Sequence, residues 1–253
     1  MKRSSRVALL LLPSAAVVLM LLLPMLRLAA EGWGDSVNGA FITIWQDDFL
    51  KWRLLWSFTQ AVVTCVLALV FGLPVAWVLA RFEFPARQLV LRLLMLPFVV
   101  PTLVAALGVL ALWGPQGVFS QRLGIDLQDT PWLLLYGNLF FNLCLVIRAG
   151  VDALGQVNAH CVAASRSLGA TPWRAFWRVE WPVIAPWLTS SLCLVFLYCF
   201  SGFGLALVLG GQRYATVEVE IYTLVAHELK LAQASSLALW MLVLTGLVAL
   251  AYA

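Results

Sequence analysis

One stretch of the sequence gathers side chains that could recognise another molecule. Residues 165–186 read SRSLGATPWRAFWRVEWPVIAP and contain three arginines, one glutamate and three tryptophans. Arginine binds carboxylates and phosphates through a planar fork of donors, and tryptophan combines a large apolar surface with one polar edge. This composition indicates binding of a lipid surface or of another protein, rather than the making and breaking of bonds.

The rest of the sequence offers no catalytic or metal-binding constellation. The two histidines, His160 and His227, are far apart, and none of the five cysteines forms a CxxC pair. A zinc site built from cysteine and histidine is therefore not expected. The sequence as printed also has no GxxxxGK[ST] phosphate-binding loop. We expect no metal, no cofactor and no enzymatic activity in this chain.

The composition is typical of a protein that crosses the membrane several times. The chain has 253 residues, of which 63% are hydrophobic and 11% are charged. A soluble domain has about 25% charged residues. Such a chain cannot hide its apolar surface in one water-soluble core, so lipid must cover part of it.

A membrane-spanning helix needs about 20 mainly apolar residues, and six stretches meet this requirement. Neighbouring helices can compensate for the backbone bonds lost at Pro74, Pro97 and Pro101, which lie within spans. We predict an all-α membrane protein, a bundle of six transmembrane helices. The predicted spans are Val7–Leu26, Leu55–Ala80, Leu91–Trp113, Trp132–Arg148, Ile184–Leu209 and Ser236–Ala253.

The first apolar run resembles a signal peptide but is longer than one. It extends for about 20 residues, whereas a cleaved signal has an apolar core of roughly 7–15. We interpret it as an uncleaved span, with cleavage near Ala29–Ala30 as the alternative. Residues 1–54 would then form the first helix with its outer loop, and residues 55–253 the main transmembrane domain.

Charge asymmetry predicts the orientation. With the N-terminus inside, ten of the sixteen basic residues lie in cytoplasmic segments and nine of the twelve acidic residues lie outside. Basic residues accumulate in cytoplasmic loops. We therefore predict that both termini and residues 165–186 are cytoplasmic.

Helix signals give this stretch a local shape. Gly169 can end one short helix in the left-handed conformation. Thr171 is a good N-cap and Pro172 a good first residue for a second helix, while Pro182 and Pro186 mark the start of the fifth span. Residue types alone leave three interpretations open: a helix lying on lipid, a plain connecting loop, and a docking helix for a soluble partner.

The stretch resembles the EAA loop of bacterial ABC importer permeases, whose pattern is E-A-A-x3-G-x9-I-x-L-P. Gly169 matches the glycine, Val179 the isoleucine position and Pro182 the proline, without a gap. Alanine stands at 163 where the pattern has glutamate, and Trp181 stands in the leucine position. The match favours the docking interpretation and places a coupling loop at residues 160–186.

This resemblance implies a permease subunit of the bacterial inner membrane whose coupling loop sits in a cleft of a separate ATPase subunit. The partners it implies are that ATPase, a periplasmic substrate-binding protein, a second permease half or homodimer partner, and membrane lipid, with no nucleic acid. The residues expected at the ATPase contact are Leu168, Gly169, Ala170, Arg174, Phe176, Arg178, Val179 and Pro182.

A second resemblance concerns the cargo. Residues 114–119, 140–154 and 207–239 look like the first half of thiamine permeases, and ferric-iron permeases share much of the pattern. Both are commonly double-length, so we expect one half or a truncation of a two-half permease. The function implied is import of thiamine or its phosphates, with ferric iron as the alternative.

Polar residues inside spans are the usual sign of a transport path, although packing between helices is the more common role. Three aromatic residues, Trp113, Tyr136 and Tyr198, could stack on an aromatic cation. No carboxylate lies in a span centre, which counts against an ion-coupled secondary transporter. The path candidates are Gln60, Thr64, Asn138, Asn142 and Ser201.

Overall fold

In the computed structural model the described residues, 14–20, 22–27, 30 and 45–252, are almost entirely helical and include no strand. Residues 14–20 and 22–27 are helical, and the rest of the predicted span Val7–Leu26 lies outside the described residues. From Asp48 onward the helices are α1 Asp48–Arg81, α2 Arg87–Leu93, α3 Leu96–Val99, α4 Thr102–Trp113, α5 Val118–Leu123, α6 Pro131–Gly155, α7 Ala159–Ser167, α8 Pro172–Ala175, α9 Trp181–Phe200, α10 Phe203–Leu209, α11 Val217–Ala226 and α12 Leu231–Tyr252.

Within the described residues, five helical segments are long enough and apolar enough to cross a membrane. They correspond in order to the second to sixth predicted spans, which confirms the all-helical membrane fold. The segments are Asp48–Arg81, Thr102–Leu123, Pro131–Gly155, Pro172–Phe200 and Leu231–Tyr252.

The prediction of one helix from Leu91 to Trp113 was wrong. Val100 is extended, with ψ of 134°, and Pro101 is the N-cap residue of α4. The proline ring disfavours the helical conformation of the residue before it, so the chain breaks there between α3 and α4. Leu94 and Met95 separate α2 from α3. Pro74, by contrast, lies inside the continuous helix α1.

The fifth predicted span, Ile184–Leu209, is also two helices rather than one. Helix α9 ends at Phe200, Gly202 has non-helical backbone angles of φ −92° and ψ 85°, and α10 begins at Phe203. At its other end α9 starts earlier than predicted, at Trp181.

The chain divides into two compact units. One comprises residues 1–52 and 220–244; in its described part, Trp45 and Trp240 meet edge to face with ring centroids 5.2 Å apart. The other comprises residues 53–219 and 245–253 and contains the whole of the coupling loop.

The larger unit is built around α6, which packs along α9 and close to α1. A Cβ atom added at Gly150 of α6 would lie 2.7 Å from the Cβ of Ala76 in α1. Small residues at such a crossing let two membrane helices approach closely. Four apolar side chains are buried beside this crossing: Leu79, Leu91, Ile147 and Val151.

Candidate functional site

The tip of the predicted coupling loop is a closed turn after α7. Asn158 caps the start of this helix, its Oδ1 accepting a hydrogen bond from the backbone N–H of His160 at 2.9 Å. At the other end Gly169 has φ of +86°, its N–H donates to Arg166 O at 3.0 Å, and Ala170 N–H donates to Ser165 O at 3.1 Å. This pair of bonds is the Schellman motif, which confirms the predicted helix end at Gly169.

The second helix begins where the sequence predicted. Thr171 Oγ1 accepts a hydrogen bond from Arg174 N–H at 3.3 Å, and Pro172 is the first helical residue. Helix α8 then passes through one π-helical segment, Phe176–Glu180, directly into the spanning helix α9. The second coupling helix and the fifth span are therefore one continuous helical segment, rather than two helices separated at Pro182.

The residues expected at an ATPase contact divide into an exposed tip and a partly buried side. Leu168 is 90% exposed, and Ala170, Phe176 and Val179 are half-buried. An isolated apolar side chain held this far out on a rigid turn can insert into a partner's pocket. The other members of the predicted set are exposed: Gly169, Arg174, Arg178 and Pro182.

Four aromatic rings cluster on the second helix. Phe176 stacks on Trp173 with ring centroids 6.3 Å apart, and it meets Trp177 edge to face at 5.6 Å. Trp181 lies 5.0 Å from Trp177. Trp173 is 70% exposed, so this cluster presents apolar surface outward as well as packing inward.

A partly buried ion pair joins the coupling loop to α1. Arg81, in the last turn of α1, donates from Nη2 to Glu180 Oε1 and also lies over the ring of Trp77, 5.4 Å from its centroid. The Glu180 side chain is only 4% exposed. Its Oε2 atom has no hydrogen-bond partner in the described part of the chain. The sequence predicted the charges of this pair but gave no signal that residues so far apart would meet.

The structure brings four of the five predicted path residues together. Gln60 Nε2 donates to Cys199 O at 2.7 Å, and Gln60 Oε1 accepts from Asn138 Nδ2 at 2.7 Å. Asn142 Nδ2 donates to Asn138 O at 2.9 Å, while Thr64 Oγ1 donates to Gln60 O at 2.8 Å. All four are buried and link α1, α6 and α9, whereas Ser201 is exposed. Their role in transport stays a prediction.

The three aromatic candidates lie in two separate groups. Trp113 contacts Phe119 and Tyr136, with ring centroids 5.0 and 6.1 Å away. Tyr198 meets Phe98 at 5.8 Å, is half exposed, and precedes the exposed Ser201 by three residues. The second group therefore has a half-exposed tyrosine and, three residues along the chain, an exposed serine.

Arg53 has a structural position that the sequence did not reveal. It is buried and donates to three backbone carbonyls, Gln212 O at 2.6 Å, Arg213 O at 3.0 Å and Ala215 O at 3.2 Å. Trp56 Nε1 donates to Tyr214 O at 2.7 Å. These bonds fasten residues 212–215 to the start of α1.

Residues 68–253 match the family model described as binding-protein-dependent transport system inner membrane component. The chain belongs to this family. The match includes the coupling loop, the ion pair and the spans from the second half of α1 onward, and it confirms the resemblance that the spacing from Gly169 to Pro182 indicated.

Curated relatives cover most of this chain. The thiamine transport system permease protein ThiP of Escherichia coli (strain K12) is 32% identical over 218 residues, which are 83% of this chain and 41% of that protein. The sulfate transport system permease protein CysW of a Synechocystis species is 32% identical over 78% of this chain and 72% of that protein. The chain thus spans about two fifths of the length of the thiamine permeases it matches.

Solved structures share the fold. A bacterial ABC transporter that imports the acidic polysaccharide alginate superposes with a TM-score of 0.77, covering 99% of this chain and 94% of that chain at 19% identity. The MetNI methionine ABC transporter superposes with a TM-score of 0.61, covering 83% and 94% at 16% identity. At these identities the likeness concerns the fold alone.

Proposed function

We propose that this chain is a permease subunit of an ATP-driven ABC importer, and that residues 159–181 receive the ATPase subunit from the cytoplasm. The observation that carries this proposal is the exposed Leu168 on the rigid turn closed by Gly169. A rigid turn with one projecting apolar side chain can transmit the displacement of a bound partner without changing its own conformation.

The helical connections support transmission from this tip to the membrane. Because α8 runs through the π-helical segment into α9 without a break, a displacement of Trp173 must move the spanning helix. The Arg81–Glu180 pair ties the same segment to the end of α1. Two spanning helices would then move together as a rigid body when the ATPase subunits close, as rigid-body switching requires.

The energy and the cargo must come from other subunits. We propose a separate ATPase for hydrolysis, a periplasmic binding protein for delivery, and a second permease half or a second copy to complete the path. In this arrangement the N-terminus is cytoplasmic, and the outer loops receive the binding protein.

Thiamine is the cargo that we propose. The support is the names of the ThiP relatives together with the half-exposed Tyr198, three residues before Ser201. Thiamine is an aromatic cation, and such a cation is attracted to the face of a tyrosine ring. The path would also be lined or supported by the four buried polar residues, Gln60, Thr64, Asn138 and Asn142.

Site-specific cross-linking tests the docking proposal. In a Cys161→Ser background, Leu168→Cys should form a cross-link to the co-expressed ATPase subunit. Leu229→Cys is the matched control, since Leu229 is also an exposed leucine, 78% accessible, but is predicted on the outer side. A cross-link at position 229, or none at position 168, would contradict the docking of the ATPase at this turn.

A further inference from the structure

A large open groove lies beside the coupling loop. Its volume is about 1070 Å³, and it separates the second half of α1 from the α7–α9 segment. The wall from α1 includes Val70, Leu73 and Trp77, and the opposite wall includes Trp173, Trp177 and Trp181.

The apolar surface of the groove is exposed, so we expect another molecule to cover it. Val70 is 56% exposed, and Trp77, Trp173 and Trp177 are exposed as well. Contiguous exposed apolar surface of this kind marks an interaction site. Because α1 is a candidate membrane span, the molecules nearest to this wall are lipid chains.

Three charged side chains belong to the lining of the groove. Arg81 and Arg166 both line it, together with Glu180, so the lining carries a net positive charge. Arg81 uses only part of its donor capacity on Glu180, and Arg166 has no side-chain hydrogen bond or ion pair within the described residues. Guanidinium groups that border an apolar groove are suited to the phosphate of a lipid headgroup.

Glu180 is enclosed beside Arg81, and its second oxygen has no surface open to the groove. Its side chain is 96% buried, and its Oε2 lacks a hydrogen-bond partner in the part of the chain that the structure describes. Leaving a buried acceptor unpaired is costly. The positive surface that the groove offers to an occupant is therefore that of Arg81 and Arg166.

The dimensions match one leaflet of a bilayer. The lining runs from Leu69 to Arg81 along α1, which is about 18 Å at the rise of an α-helix. Half of the hydrocarbon core of a bilayer is about 15 Å thick. An acyl chain lying along Leu69–Val78 would therefore place its headgroup beside Arg81.

We propose that this groove holds one anionic phospholipid, for example phosphatidylglycerol. Its phosphate is attracted by Arg81 and Arg166, which both line the groove, and an acyl chain covers Val70 and Trp77. The lipid fills the space between α1 and the coupling loop. This inference goes beyond the proposed function and does not depend on the cargo.

Native mass spectrometry of the full chain in detergent tests the proposal. After delipidation, phosphatidylglycerol and phosphatidylcholine with identical acyl chains are titrated separately. We expect one retained phosphatidylglycerol and weaker binding of phosphatidylcholine. Arg166→Gln should weaken phosphatidylglycerol binding about fivefold, as expected for one basic residue at a lipid surface, and Val70→Trp should block the chain and abolish retention.

Two matched variants serve as controls. Arg92→Gln removes an exposed arginine outside the groove, and Val75→Trp adds the same bulk at an exposed valine of α1 outside the lining. Both should bind phosphatidylglycerol as the original chain does. Equal retention of the two lipids, or equal loss in the control variants, would overturn the proposal.

One further outcome would also overturn it. If the added ATPase subunit releases the bound lipid one for one, the groove is part of the ATPase docking surface instead. Lipid retention is measured without ATP or cargo, so its failure leaves the docking of the ATPase at Leu168 untouched.

Discussion

A single backbone angle determines the geometry of the exposed tip. Gly169 has φ of +86°, a region that residues with a Cβ rarely adopt, and a Cβ atom there would meet nothing within 4 Å. The glycine is thus required by the turn itself rather than by crowding. Its neighbour Leu168 can project only because the turn closes behind it.

Gly169→Val should disrupt the coupling loop with little effect on the rest of the fold. A β-branched residue in the left-handed region costs about 1–2 kcal/mol, and about 1.4 kcal/mol corresponds to tenfold in an equilibrium. We therefore expect co-purification of the ATPase subunit to fall about tenfold. Quantitative pull-down from detergent extracts measures this change.

Gly155→Val is the control for that variant. Gly155 is exposed in the last turn of α6, and a Cβ there also meets nothing within 4 Å, but its φ is ordinary. Its co-purification should stay near the original value. If both variants lose the ATPase equally, the left-handed conformation of Gly169 is not required for binding of the ATPase.

The Arg81–Glu180 pair should be coupled energetically. Arg81→Gln leaves a buried carboxylate without its cation, whereas the double variant with Glu180→Gln removes both charges. Since Arg81 is 40% exposed, solvent screening limits the coupling energy to about 1–2 kcal/mol. A double-mutant cycle on thermal midpoints in detergent should therefore show the double variant to be more stable than the two single effects predict.

The exposed pair Arg148–Asp152 provides the comparison. Its atoms are 2.9 Å apart at i, i+4 spacing, and both side chains are largely accessible. Arg148→Gln should change stability by less than about 0.5 kcal/mol. A larger loss at Arg148 than at Arg81 would show that burial of Glu180 does not strengthen its pair.

At the scale of the elements, helix ends were predicted correctly from residues within one turn, whereas contacts between residues far apart in the sequence were not predicted. The end of α7 and the cap of α8 followed from Gly169, Thr171 and Pro172, because each acts within one helical turn. Prolines in the spans were ambiguous: Pro74 is accommodated inside α1, while the chain breaks before Pro101. The outcome depends on neighbouring helices, which the local sequence does not encode.

The same limit applies to the buried polar groups. Gln60 and Asn138 were identified as unusual for spans, but nothing in the sequence showed that they bond to each other. The burial of Arg53 was missed because its partners are backbone carbonyls more than 150 residues away. A hydrogen bond to a distant main-chain carbonyl cannot be predicted from residue type, because every residue carries the same carbonyl group.

Gln60 should act as a cross-link between three helices. Gln60→Leu would leave Cys199 O without this donor and Asn138 Nδ2 without this acceptor, so we expect a loss of about 1–2 kcal/mol. Thr59→Val is the control, because Thr59 is exposed and its hydroxyl donates to Leu55 O in its own helix. Thermal midpoints in detergent should fall for Gln60→Leu alone, and equal midpoints would contradict the cross-link.

At the scale of the whole molecule, the proposed orientation places the coupling loop in the cytoplasm. Cys161 lies on α7 and is the one exposed cysteine among the described residues. A membrane-impermeant maleimide should label it in inverted membrane vesicles and not in right-side-out ones. Cys161→Ser should remove the signal, and labelling in right-side-out vesicles would reverse the proposed topology.

The central claim is that ATP drives transport through this chain. The most direct measurement is uptake of radiolabelled thiamine into proteoliposomes that contain the chain, its ATPase and any second permease half, with the binding protein added outside. Uptake that requires both internal ATP and the binding protein is the predicted result. Uptake driven by a proton or sodium gradient without ATP would contradict it and would indicate a secondary transporter.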